Sequence, residues 1–117
     1  MTGWTRWLVP MAVAVGIFVA TSWPSPPAMP NNSDKLVHFS AYALLGATVG
    51  WAARTRELHG FLRWAIVVSV LGAADEWHQK FIPNRRMDVR DWLADTAGAV
   101  AGLSLVTALA RRRESVA

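Results

Sequence analysis

Residues 74–95 read ADEWHQKFIPNRRMDVRDWLAD, the densest run of polar and ionisable side chains in the chain. Asp75, Glu76, His78, Gln79, Lys80, Arg85, Arg86, Asp88, Arg90, Asp91 and Asp95 all fall inside it, with long apolar segments on both sides. A polar knot between two apolar helices is where such a protein would bind or react, with the other segments supplying its walls. Pro83-Asn84 marks its turn. Asp88 is a natural N-cap for the helix that follows, and Asp91 three residues later makes a capping-box-like pair.

Working outward, the apolar run before the knot is Phe61–Trp77, with Arg63 near enough to its start to snorkel to an interface. The run after it is Trp92–Ala110, interrupted only by Asp95 and a few hydroxyls and stopped by Arg111, Arg112 and Arg113. Further upstream lies Leu36–Ala53, its helix restarting near Ser33 or Asp34, a good N-cap region. Arg54, Arg56, Glu57 and His59 form a short basic loop ended by Gly60, with His59 facing solvent. The first apolar run, Trp7–Trp23, has seventeen uncharged residues behind Arg6, about the minimum for crossing a hydrocarbon core of roughly 30 Å. A signal peptide is the competing reading, but Trp23 and Pro24 spoil the small-residue cleavage site at Ala20-Thr21-Ser22, so a retained helix is expected. SPPAMPNN, residues 25–32, reads as an extended linker rich in proline.

The expected fold is therefore all-α, a polytopic membrane protein with a bundle of four transmembrane helices. Residues 1–33 would form the N-terminal helix and external linker, 34–110 a three-helix membrane domain and 111–117 a basic cytoplasmic tail. Two small-xxx-small steps, Gly46 to Gly50 and Gly98 to Gly102, would let helices approach closely.

Composition agrees. Of 117 residues, 53% are apolar and 17% charged, respectively above and below the soluble norm. The seven Trp stand at 4, 7, 23, 51, 64, 77 and 92, mostly at the edges of apolar runs, as in aromatic belts. There is no Cys, hence no disulfide framework and no thiol chemistry. The net charge of +4 comes from short basic clusters between apolar runs, which suits orientation in a bilayer and argues against nucleic acid as a partner. With four spans and the N-terminus inside, Arg6, Arg54, Arg56, Arg63 and Arg111–Arg113 are cytoplasmic. Lys35, Lys80, Arg85, Arg86 and Arg90 lie outside among carboxylates. The positive-inside rule then puts both termini in the cytoplasm of a bacterial cell membrane and the polar knot outside.

The informative polar residues are those at odds with their setting. Asp75 and Glu76 sit near a helix C-terminus, where the dipole disfavours anions, so they need a partner: Lys80, Arg85, Arg86, a metal or a cationic ligand group. Asp95 lies seven residues past Asp88, about 10 Å deeper along the helix, where a carboxylate costs at least ~2.5 kcal/mol unless it faces a partner inside the bundle. Asp88, Asp91 and Asp95 share a helix face. Asp34 and His38 share another at i, i+4, as do Asp75, His78 and Gln79 at i, i+3, i+4. Three helices thus each carry a polar stripe at their outer ends.

The order of motifs, DK-x-x-HF-x-x-Y at Asp34–Tyr42, DE-x-HQ-x-F-x-P-x-R at Asp75–Arg85 and D-x-x-AD-x-x-G-x-x-x-G at Asp91–Gly102, resembles the VanZ-like family of small bacterial membrane proteins. The resemblance runs from about Asp34 to Leu105 and leaves out the first span. Asn84 stands where the family commonly has Gly, and Asn also accepts left-handed turn geometry. Asp95 stands where members carry Asn or Asp. The resemblance implies a cell-envelope role, with antibiotic resistance entering through a member linked to the glycopeptide teicoplanin. It supplies no catalytic assignment. It marks Asp34, Lys35, His38, Asp75, Glu76, Gln79, Pro83, Arg85, Asp91, Asp95, Gly98 and Gly102 as motif positions.

The leading functional expectation is binding or handling of an anionic envelope molecule, a lipid-linked precursor or phospholipid headgroup. Arg85 and Arg86 would clamp the anion while Asp75, Asp95 and His38 order the pocket. The alternative is a membrane-embedded enzyme on a lipid-linked phosphoester, with Asp, Glu and His holding a hard divalent cation or acting as acid and base. No H-E-x-x-H, P-loop or G-x-S-x-G signature supports it, and no cofactor is expected. A structural or partner-subunit role is the third.

Overall fold

A computed structural model describes residues 2–24 and 33–116. The extended linker expected at 25–32 lies outside the described residues. Four helices follow a single 3-10 turn at Thr5–Trp7: α1 Leu8–Thr21, α2 Ser33–Ala53, α3 Leu58–Gln79 and α4 Val89–Val116. The chain is all-α, and α2, α3 and α4 are long and apolar enough to cross a membrane.

The first helix is the exception. With 14 residues α1 rises about 21 Å, short of a hydrocarbon core of roughly 30 Å. Its end is set locally. The Ser22 N–H still reaches Phe18 O at 3.0 Å, and Pro24, which has no N–H to continue the ladder, follows two residues later. A bundle of four full spans therefore reduces to three long helices and one shorter apolar helix of Thr5–Thr21.

Other boundaries shift for visible reasons. α3 begins at Leu58, so His59 and Gly60 belong to its first turn, with His59 exposed as expected. α2 closes with Arg54 at φ 54°, its N–H on Trp51 O at 3.3 Å, and with Thr55 N–H on Gly50 O at 3.1 Å, a Schellman closure with arginine where glycine is usual. The three arginines do not stop α4, which runs to Val116 and carries Glu114 to a 2.6 Å ion pair with Arg56. The supposed tail is thus a helical extension beyond the apolar stretch. Between α3 and α4, Arg85 N–H bonds the Ile82 carbonyl at 3.1 Å across Pro83-Asn84, and Asn84 adopts φ 63°. That is the left-handed geometry its place in the motif calls for.

α2 and α4 make the closest pairing, through the glycines. A Cβ added at Gly98, Gly102 or Gly46 would run into backbone, at the carbonyls of Phe39, Ala43 and Ala99 respectively. Gly50 is looser: its nearest neighbour would be the Leu103 Cδ2 methyl at 3.2 Å. Tyr42, Leu45, Val49, Val68 and Ala99 form the apolar core, with Trp7 and Trp64 packed against it and their rings 4.8 Å apart. Not every Trp belongs to an interfacial belt. Trp4, Trp23 and Trp77 are exposed, whereas Trp92 donates its indole N–H to Ser69 O at 2.9 Å, beside a 2.8 Å Ser69–Thr96 hydroxyl pair joining α3 to α4.

Candidate functional site

The polar stripes of α2, α3 and α4 meet at one end of the bundle. At the centre is His38, whose Nδ1 lies 2.7 Å from Asp95 Oδ1. Asp95 is fully buried, as its depth required, and the partner predicted for it is this imidazole. Space for the carboxylate comes from Gly72 on α3: a Cβ there would stand 3.2 Å from Asp95 Cβ and 3.3 Å from its Oδ2. Nothing in the sequence reading singled out Gly72. Its place one turn before Asp75 and Glu76 was the available signal.

Around His38 stand Glu76, with Oε1 at 3.9 Å from Nδ1, and Asp91, with Oδ2 at 3.7 Å from Nε2. Glu76 is buried and held from both sides, by the Gln79 amide on Oε1 at 3.1 Å and by the Asp88 N–H on Oε2 at 3.1 Å. This second bond corrects the capping box. Asp88 does cap α4, accepting the Arg90 N–H at 2.9 Å, but the group that returns to its own N–H is Glu76 of α3, not Asp91. Asp91 turns inward instead, with Oδ1 2.6 Å from Lys35 Nζ. Lys35 also reaches Asp34 at 2.7 Å and Asp88 at 3.2 Å, so one ammonium ties three carboxylates together. The Arg90 side chain and N–H, helped by Lys35, hold the Asp88 carboxyl down to about 2. One ligand atom from each of His38, Glu76 and Asp91 lies within 4.8 Å of the others, close enough to share a cation.

Asp75 and Arg85 depart from the expected pairing. Asp75 faces α1, where Thr21 donates its hydroxyl to Oδ1 at 2.6 Å, and it meets neither Lys80 nor an arginine in a hydrogen bond. Arg85 is engaged elsewhere, donating to Trp23 O and Ala20 O at 3.0 Å each and so capping the end of α1. His78 also turns to α1 and stacks on Phe18 at 4.7 Å. The carboxylate predicted for the pocket and the arginine predicted for the clamp thus both fasten the short helix. Thr21 was missed because a lone hydroxyl at the end of an apolar run is ordinarily unremarkable.

A cleft of about 570 Å³ opens over this cluster. Asp34, Val37 and His38 of α2, Gln79 of α3, Asn84, Arg85, Arg86 and Asp88 of the connecting loop and Asp91 of α4 line it, together with Ala20 and Thr21 of α1. Arg86 at the rim is exposed and makes no hydrogen bond or ion pair with the described residues. Of the ten candidate residues, Asp34, Lys35, His38, Glu76, Gln79, Asp91 and Asp95 gather in the cluster and Arg86 stands over it. Arg85 reaches the cleft while bound to α1, and Asp75 lies behind it.

Fold and site together define a helical membrane protein with a charged cleft at one end of its apolar helices. A family model described as VanZ/LLP1 matches residues 4–110, and the chain belongs to that family. The match takes in α1, so the family region is wider than the Asp34–Leu105 stretch that the motifs mark. No curated protein and no solved structure matches the chain.

Proposed function

We propose that the protein binds or handles an anionic cell-envelope molecule, taken by its phosphate or carboxylate headgroup into the cleft on the outer side of the bacterial cytoplasmic membrane. The observation that carries this reading is Arg86, an exposed guanidinium without a protein partner among the described residues, at the rim of a cleft flanked by apolar helices. A lipid-borne anion could enter with its chains along the helices and its headgroup against Arg86, which offers bidentate donors. Arg85, fastened to α1, shapes the wall rather than acting as the second half of a clamp.

The orientation rests on which ends lie together. Arg6 bonds Trp51 O at 2.6 Å, and Arg56 pairs with Glu114, so the N-terminal end, the 54–57 loop and the end of α4 share one side. That side carries the nearly pure basic clusters and is proposed to be cytoplasmic. Reporter fusions after Ala117 and within 54–57 are expected to read cytoplasmic, and those near Asn84 external. A C-terminal fusion reading external would turn the site inward. Family membership supports a cell-envelope role, and any link to glycopeptide resistance is tested by teicoplanin sensitivity of a strain lacking the protein.

Mass spectrometry of lipids that co-purify in mild detergent tests the headgroup reading. Anionic species should be retained by the wild type and fall at least several-fold in Arg86→Gln, with Lys80→Gln as a control that retains them. Equal retention in Arg86→Gln would overturn it.

A further inference from the structure

We propose that His38, Glu76 and Asp91 form a divalent-cation site at the floor of the cleft, with Asp95 as the carboxylate that orients the histidine. This deepens the headgroup reading, since a cation there would meet a bound phosphate from below while Arg86 meets it from the rim.

Hydrogen bonds around the imidazole carry the argument. Asp95 Oδ1 sits 2.7 Å from His38 Nδ1, a partner that selects the tautomer with the proton on Nδ1, and in that neutral imidazole Nε2 carries the lone pair. Nε2 has Asp91 Oδ2 at 3.7 Å, too far for a hydrogen bond and suitable for two ligands of one ion. A carboxylate behind a histidine whose far nitrogen faces a second carboxylate, here Asp91, is the arrangement that metal ligands ordinarily show, and Glu76 brings a ligand atom within 4.8 Å of both. Asp95 stands behind the histidine, with Oδ1 on Nδ1 and Oδ2 beside Gly72.

The two carboxylates are prepared in the same way. Glu76 takes Gln79 on one oxygen and the Asp88 N–H on the other, which fixes the group and leaves lone pairs on both. Asp91, nine-tenths buried, has Lys35 Nζ against its Oδ1 at 2.6 Å and its Oδ2 3.7 Å from the imidazole Nε2. Charge balance points the same way. Glu76, Asp91 and Asp95 are all buried, Lys35 already serves Asp34 and Asp88 as well, and buried charges are paired or coordinate metals. One imidazole nitrogen with carboxylate oxygens suits ions of the Mn²⁺ and Zn²⁺ kind.

The test uses Mn²⁺ alone on the full chain, purified in mild detergent and stripped of lipid. Titration followed by the free-ion electron paramagnetic resonance signal should show one Mn²⁺ per chain, and pulsed spectra should show modulation from one imidazole nitrogen. Glu76→Gln and Asp91→Asn should each weaken binding at least tenfold, and His38→Gln should also remove the nitrogen modulation. Asp95→Asn should weaken binding roughly 10–100-fold. Glu57→Gln, which removes an exposed carboxylate in the loop at the opposite end of the bundle, should bind as the wild type does. Absence of saturable binding in the wild type, or bound Mn²⁺ without nitrogen modulation, overturns the site; both are read on wild-type protein and do not depend on whether any variant folds. Mn²⁺ bound by a protein that retains no anionic lipid would remove the headgroup reading and leave the metal site, and the reverse result would do the opposite.

Discussion

The same two helices, α2 and α4, meet in two unlike ways. Along their middle, Gly46, Gly98 and Gly102 bring backbone against backbone, with no room for a methyl group. One turn outward from Gly98 the contact is His38 against Asp95, and beyond it Lys35 against Asp91. The difference shows how a small membrane protein supports a buried charge. Inside a bilayer there is little hydrophobic drive between helices, so close packing at small residues holds them. That packing fixes the rotation of α2 on α4, and the rotation places imidazole and carboxylate in register at the outer end. The seam is scaffold, and the cluster is what it positions.

The largest effect should come from breaking the seam. Gly102→Leu or Gly98→Leu forces a side chain into the Ala43 or Phe39 backbone, and the melting temperature in detergent should fall by on the order of 10 °C. Unchanged melting would mean that the two helices are not held through this contact.

Next comes the cluster. Asp95→Asn keeps an acceptor for His38 but removes the buried charge, so the protein should remain folded, within a few °C of the wild type, and lose its co-purifying anionic lipid. Asp75→Asn, by contrast, weakens the Thr21 contact that fastens α1 behind the cleft, so it should lower the melting temperature and leave lipid bound. Loss of lipid with unchanged melting would return Asp75 to the cleft.

A smaller effect separates the two regions by pH. The Asp88 carboxyl, held down to about 2 by Arg90 and Lys35, adds stability that is fully present above its ordinary value of 3.8 and is lost as pH falls through about 2. The difference in melting temperature between wild type and Asp88→Asn should therefore be small and flat from pH 5 to 9, since Asn also caps helices, and should shrink toward zero only in strong acid. A difference that changed near pH 6–7 would tie α4 capping to another group.

The smallest effects mark the edges of the seam. Gly50→Ala needs only the Leu103 methyl to move, so it should cost a few °C at most. Gly16→Ala meets nothing within 4 Å and should be neutral or slightly stabilising through better helix propensity. Equal losses at Gly50 and Gly102 would show that the seam is continuous along both helices.

Much of this was legible in the chain. Apolar periods bounded by Arg, Pro and Trp placed three helices to within three residues, except for the end of α4, which runs past Ala110 to Val116, because a bilayer-length apolar run has few alternatives to helix. Pro83-Asn84 announced its turn, and Asp95 in an apolar helix announced a partner within the bundle, since an unpaired carboxylate there is too costly. The glycine steps announced a close contact. What the sequence left undetermined was who pairs with whom. Arg85 could satisfy the Asp75 carboxylate or the carbonyls of α1 at comparable chemical merit, and only the position of the short first helix selects the carbonyls. Glu76 rather than Asp91 accepts the N–H of the cap residue Asp88, and Asp91 joins Lys35 and His38, because the rotation of three helices about their axes decides which stripe faces which. Spacing fixes what lies on one face of a helix; tertiary packing alone fixes what that face meets.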